Sequence, residues 1–349
     1  MSGTVINNSE NMRIVVFGDK GYATSIIENL ISRGENIVGI CCRSNKQSLK
    51  VKLKEFVRLK LIDLGIFWKD SFSYKEPFEG FKQPRRIAHE NNIPVLDSKR
   101  LRMLEFEKTL RNMSPDLILV AGFHRLIPQN IIKIPKIEII NFHPSLLPRH
   151  RGGTPNRWVI RNGEEETGIT AHLVNEEFDC GDVVLQDKIL VKPDETWGDL
   201  ELRINDLVAE MVYKTLEIVK GGKVNGVPQK NGIATCEPSF RGKDRVIDWC
   251  LSPVEIKRTC YAIRPKSGGL TKFKKNRLCI WDIVILSTAN KSQPPGTIIE
   301  FDKDGSPVVT CGGGMIKIIL FLYSGKVVKA EKIVVKYKMR IGMKFENIS

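Results

Sequence analysis

Four short apolar runs, RIVVFG at 13–18, ENIVGICC at 35–42, DLILVAGF at 116–123 and IEIINFHP at 137–144, are separated by stretches whose apolar residues recur at helical spacing. Runs of this length read as buried strands. Strands that alternate with helices imply parallel pairing through right-handed crossovers. YATSIIENLISRG (22–34) carries the helical pattern, and Gly34 stops it. PRRIAHENNIPVLDSKRL (84–101) reads as a helix and a short strand, and LRMLEFEKTLRNMSPDLILVAGF (101–123) as helix, turn and strand. The pattern predicts an α/β fold with a doubly wound, mostly parallel sheet. Such sheets place ligands beyond the carboxyl ends of their strands, where Gly122-Phe123-His124 and Asn141-Phe142-His143 lie.

The 349 residues suffice for two cores. WGDLELRINDLVAEMVYKTLEIVKGG (197–222) predicts a long amphipathic helix, and residues 221–240, rich in Gly, Pro and Lys, read as a linker. Beyond it, RVIDW (245–249), NRLCIWDIVIL (276–286), GTIIEFD (296–302), SPVVTC (306–311), MIKIILFLY (315–323) and KIVV (332–335) are short β-rich segments that predict a small barrel or sandwich over 241–349. KQSLKVKLKEFVRLKLIDLG (46–65) reads as a basic helix followed by a loop, with no role assigned to residues 45–85. The first eleven residues lack the basic start and apolar stretch of a secretion signal and are expected to be a disordered leader before a catalytic unit at 12–220.

The net charge is +15, and from Arg241 to Ser349 there are 21 Lys and Arg against 9 Asp and Glu. Such an excess attracts a polyanion by counterion release. The eight cysteines form no CxxC pair and no zinc-ligand spacing, so they are expected to be reduced thiols in the cytoplasm, with no metal. No window has the ~20 continuous apolar residues of a membrane helix, so no membrane partner is expected.

Gly18-Asp19-Lys20-Gly21 follows the first strand without completing GxGxxG, and reads as a tight turn rather than a dinucleotide site. No GxxxxGK[ST] and no GxSxG is present, which points away from a nucleotide triphosphatase and from an esterase-type nucleophile. The informative stretch is NFHPSLLPRHRGGTPNRWVIRNGEEETGITAHLVNEEFDCGDVVLQ (141–186). Asn141 and His143 project from one side of an extended chain, because strand side chains alternate. Asp179 and Asp182 flank Gly181 in a later loop and offer a carboxylate to the imidazole. An amide, an imidazole and a carboxylate suit acyl transfer to an amine. Asn141, and His143 when protonated, donate to the developing oxyanion, while Asp179 raises the imidazole's proton affinity and helps move the amine's surplus proton. By itself the set is equally compatible with a structural histidine at a strand end.

The same stretch resembles the folate-dependent formyltransferase family, which carries N-x-H at a strand end, an SLLP-type loop with RG, TG-x-T and D-x-G-D. Here these are Asn141-Phe142-His143, Ser145-Leu146-Leu147-Pro148 with Arg151-Gly152, Thr167-Gly168-Ile169-Thr170 and Asp179-Cys180-Gly181-Asp182. The resemblance implies 10-formyltetrahydrofolate as co-substrate and Asn141, His143 and Asp179 as the catalytic set. It also implies folate contacts from Gly122, Phe123, Ser145, Leu146, Leu147, Pro148 and Asp182. RVIDWCLSPVEIKRTCYAIRP, NRLCIWD, PGTIIE and GMIKIILFLY resemble the C-terminal domain of methionyl-tRNA formyltransferases, which implies an oligonucleotide-binding-type (OB-like) barrel and a tRNA acceptor. The departures concern the acceptor. Arg264-Pro265-Lys266-Ser267-Gly268-Gly269 replaces the NPWPGA-like segment of that group, and Asn156-Arg157-Trp158-Val159-Ile160 is closer to sugar formyltransferases. An amino sugar on a nucleotide is therefore the alternative acceptor, and water, giving a formyl-folate hydrolase, a second alternative.

Overall fold

The computed structural model describes residues 11–19, 21–43, 82–222, 224–287 and 293–348. Residues 1–10 of the leader, Lys20 of the first turn and residues 45–81 of the stretch 45–85 lie outside the described residues.

The first sheet has seven strands: β1 (Ile14–Phe17), β2 (Ile37–Cys42), β3 (Val95–Asp97), β4 (Leu117–Ala121), β5 (Glu138–His143), β7 (Glu166–Leu173) and β8 (Val183–Leu190), with β6 (Arg151–Gly152) lying apart from it. Their order is β3-β2-β1-β4-β5-β7-β8, parallel through β5 and antiparallel across β5-β7 and β7-β8. Both faces are covered. Ile14 and Val16 of β1, with Leu117, Leu119 and Ala121 of β4, join one core cluster; Val15, Phe17, Ile118 and Val120 join another. This two-sided burial is why the parallel strands read as continuous apolar runs instead of alternating ones.

The first cluster is covered by helix Tyr22–Ser32 and by helix Trp197–Lys220. The second of these starts at a capping box in which the Thr196 hydroxyl and the Asp199 carboxylate each accept from the other's backbone N–H. Its buried stripe runs Leu200, Ile204, Val208, Met211, Leu216 and Val219. A polar knot lies between these helices and helix Pro155–Asn162. The buried Glu201 carboxylate accepts from Tyr22 Oη (2.6 Å), Trp197 Nε1 (2.8 Å) and Asn156 Nδ2 (3.1 Å), which replaces the hydration lost on burial. Among the described residues no helix is long and apolar enough to cross a membrane.

The segment expected as a linker contains β9 (Cys236–Glu237), which pairs in parallel with β6. The remaining strands, β10 (Gly269–Phe273), β11 (Asn276–Ser287), β12 (Ile298–Phe301), β13 (Pro307–Cys311), β14 (Gly314–Tyr323), β15 (Lys326–Lys329) and β16 (Phe345–Glu346), build a curled antiparallel sheet. Its path is β12-β13-β14-β11-β10-β16, with β15 on β14. The ends approach each other: Thr297 and Lys344 form a bridge, and Phe345 N donates to Gly296 O at 2.9 Å. Two expected strands are corrected. KIVV lies in helix Ala330–Tyr337, where Ile333 is buried and Val335 is 75% exposed; four apolar residues are too few to separate the two periods. RVIDW contributes one bridge, Val246 to Leu270, after a short 3-10 turn at Gly242–Arg245.

Candidate active site

Ile139, Asn141 and His143 share one face of β5, with Ile139 in the second core cluster and Ile140 and Phe142 in the first. β5 is the last strand of the parallel set, and Asn141 stands opposite His172 of β7 in the ladder. The loop after His172 and Leu173 turns back at Asp179, whose φ of 56° is left-handed, a conformation that Asp and Asn tolerate better than most residues. Two residues on, Gly181 fits where a Cβ would lie 1.8 Å from Leu173 O.

Three side chains meet at one carboxylate oxygen. Asp179 Oδ1 is 3.3 Å from Asn141 Nδ2, 3.4 Å from His143 Nδ1 and 3.6 Å from His172 Nε2. The other oxygen, Oδ2, accepts from Gly152 N at 2.9 Å. The partners fix the histidine tautomers. His143 Nε2 donates to His150 O at 2.9 Å, which leaves Nδ1 facing Asp179. His172 Nδ1 donates to Leu173 O at 2.8 Å, so its Nε2 accepts from Asn141 Nδ2 at 3.0 Å. His143 is 5% exposed.

Burial works against the Asp179 charge, but the His143 ring, when protonated, and the Gly152 N–H outweigh it and hold the carboxyl at about 2. Burial lowers His143 below its ordinary value, and Asp179 only partly offsets this, so the ring is mainly neutral at pH 7. The lowered carboxyl has a stability consequence. Ionised Asp179 therefore stabilises the fold above the ordinary carboxylate range, and this stabilisation is lost as pH falls toward about 2. The gap in unfolding free energy between the protein and its Asp179→Asn variant should therefore narrow as pH falls from about 5 to about 2. A gap that stays constant over that range contradicts the lowered carboxyl.

The loop after β5 is pinned to β7 and β8. Thr170 Oγ1 donates to Ser145 O (2.7 Å) and accepts from Leu147 N (3.1 Å) and Gln186 Nε2 (2.8 Å). Ser145 and Leu147, expected at the folate, are buried; the Ser145 hydroxyl donates to Arg149 O at 2.8 Å. These two shape the loop from beneath. Gly122, Phe123, Leu146, Pro148 and Asp182 are half-buried, with Phe123 packed on Phe17. Beyond the ends of β3 and β4 lies a groove of about 340 Å³ lined by Lys99, Leu101, Arg102, Arg125 and Leu126. Among the described residues no group of three or more His, Cys, Asp or Glu could hold a metal ion.

Sequence reasoning missed His172, His150 and Gln229. His172 has a signal in the alternation Thr170-Ala171-His172, which faces it as Thr170 faces, once the β5-β7 register is known. His150 acts through its backbone carbonyl, and its buried ring lies between Glu164 Oε1 (3.5 Å) and Glu237 Oε1 (3.6 Å). Gln229 donates to Asp179 O (2.9 Å) and Gly181 O (2.7 Å) from 50 and 48 residues away, and no local pattern announces it.

The family described as formyl transferase matches residues 12–216, and the one described as formyl transferase, C-terminal domain, matches residues 241–338. Among curated relatives, the protein named methionyl-tRNA formyltransferase of Geobacter sulfurreducens is 29% identical over 307 residues, which cover 88% of this chain and 88% of that one. HypX from Aquifex aeolicus, solved with tetrahydrofolic acid, superposes with a TM-score of 0.59 at 17% identity, covering 95% of this chain; this chain spans about half of HypX, 48%. WlaRD, a sugar 3N-formyl transferase solved with dTDP and 5-N-formyl-THF, has a TM-score of 0.59 at 15% identity, covering 88% of this chain and 97% of that one.

Proposed function

This chain belongs to the formyl transferase family, and from that premise we propose that it is a 10-formyltetrahydrofolate-dependent N-formyltransferase acting on the amino group of methionyl-tRNA. The observation that carries the chemistry is the convergence of Asn141, His143 and Asp179 on one carboxylate oxygen at 3.3–3.4 Å. Bound formyl-folate supplies an activated one-carbon unit carried on nitrogen. The partly open Phe123, Leu146 and Pro148, beyond the ends of neighbouring strands, suit a flat heteroaromatic ring. Lys99, Arg102 and Arg125 in the adjacent groove suit the carboxylates of its tail.

The acceptor's amine bonds to the formyl carbon as the C=O π pair moves onto oxygen. Asn141 turns its donor from Asp179, the longer of its two contacts, onto that oxygen. His143, neutral and held in one tautomer by His150 O, takes the amine's surplus proton at Nδ1. Ionised Asp179 stabilises the imidazolium that forms. The same proton passes to the folate nitrogen as its bond to the formyl carbon breaks. The amine and the folate have then exchanged a formyl group for a proton, and the side chains are restored.

The tRNA acceptor is supported by relatives of that name that match nearly end to end and by the excess positive charge of residues 241–349. On this reading 12–220 carries the reacting side chains, 221–240 braces them on its way onward, and the curled sheet is an OB-like barrel that holds the polyanion in the cytoplasm. The likeness to WlaRD favours a second reading, an amino sugar on a nucleotide. Incubation with 10-formyltetrahydrofolate and either charged initiator tRNA or amino-sugar nucleotides separates the two. Formyl-methionyl-tRNA should form, and apparent tRNA affinity should fall about tenfold or more between about 50 and 200 mM salt. Salt-insensitive transfer to a small amine overturns the tRNA reading.

A further inference from the structure

We propose that Gln229 is a positioning residue for Asp179, so that the segment between the two family matches completes the active site; this rests on Asp179 serving the formyl-transfer step as described above. Residues 217–240 fall in neither match. Yet Gln229 Nε2 donates to the carbonyls of Asp179 (2.9 Å) and Gly181 (2.7 Å), on either side of Cys180. Its Oε1 accepts from Arg151 Nε (3.1 Å) and Nη2 (2.7 Å), and that Nη2 also donates to Asn231 Oδ1 at 2.9 Å. The amide orientation is fixed by its partners: carbonyls can only accept, and a guanidinium can only donate.

Arg151 adjoins Gly152, whose N–H holds Asp179 Oδ2. Asp179 is thus gripped twice, at its carboxylate by Gly152 and at its backbone by Gln229, and Arg151 ties the two grips together. The backbone grip acts where it is most needed, because Asp179 is left-handed and Gly181 sits against Leu173 O. Two donors facing carbonyls and an acceptor facing a guanidinium are available only from a side-chain amide. Asn is one methylene too short, Glu lacks the donors, and Lys or Arg lacks the acceptor. The contact needs chain from beyond the first matched segment, which is why Gln229 belongs to the site and not merely to a connection.

The test uses the full chain with 10-formyltetrahydrofolate and methionyl initiator tRNA, in Gln229→Met and Gln229→Glu variants. Both should lower kcat by about 10–100-fold with KM for the folate changed less than about threefold, as when a supporting partner of a catalytic group is lost. Combined with Asp179→Asn, neither should lower single-turnover transfer further, because both changes remove the same contribution. A second readout needs no acceptor: a carboxyl NMR titration should move Asp179 upward from about 2 toward the ordinary carboxylate range in Gln229→Met. Unchanged turnover together with an unchanged Asp179 titration overturns the proposal. So does a loss in the double variant that multiplies the single ones, since it marks a general effect on folding. If Asp179→Asn itself keeps normal turnover, the catalytic reading falls, while the titration still decides whether Gln229 holds the carboxylate.

Discussion

Replacing Asp179 with Asn is expected to lower kcat by about 10²–10⁴-fold, the range for loss of a group that orients and charges a proton-transferring histidine. The variant is chosen to spare the fold. Asn keeps the shape, accepts the left-handed backbone at φ 56°, and retains an oxygen for the Gly152 N–H. It loses the negative charge 3.4 Å from His143 Nδ1, so the buried imidazolium has nothing to balance it. Single-turnover formyl transfer and a thermal melt check the two halves separately. Near-normal turnover in a folded variant would remove Asp179 from the mechanism.

The second large effect is expected at Asn141. Asn141→Ala should cost about 10²–10³-fold in kcat, because one preorganised donor to a developing oxyanion contributes roughly 3–4 kcal/mol in the transition state. The KM for formyl-folate should stay within a few fold, since that interaction strengthens only as charge develops. Part of the loss comes from His172, whose Nε2 loses its donor at 3.0 Å. His172→Phe in the wild-type background isolates this part and should cost much less than Asn141→Ala. A variant at 141 that raises KM alone would make the residue a substrate contact instead of an oxyanion donor.

The parallel half of the first sheet was legible because each strand is buried on both faces and so is written as a run of Ile, Val and Leu between glycines. Asn141 and His143 were legible for a related reason: they are the polar positions on one face of such a run. The loop pattern offers Asp179 and Asp182 alike, and only the family resemblance singles out Asp179. It meets His143 only because β7 returns antiparallel beside β5, a register that composition does not encode. The same gap hid His172, which lies directly across that ladder. Ser145 and Leu147 stand in a motif that marks the loop, while their burial follows from bonds to Arg149 and Thr170 that the motif does not spell out. The stretch 221–240 was least legible. Gly, Pro and Lys there describe a chain without regular secondary structure, and their abundance carries no information about the backbone bonds from Thr235 to Pro148 and Arg151.

Those bonds set where the molecule can be divided. A fragment ended after the long helix, at Lys220, would keep all three residues of the candidate triad and still lack β9 against Arg151 and Gly152, the Thr235 hydroxyl that caps His150 N at 2.7 Å, and Phe240 against Trp158. Its chemistry would be lost through a missing buttress with every reacting side chain present. A fragment meant to keep these supports is therefore expected to run at least through Phe240, twenty residues beyond the point where the helix invites a cut.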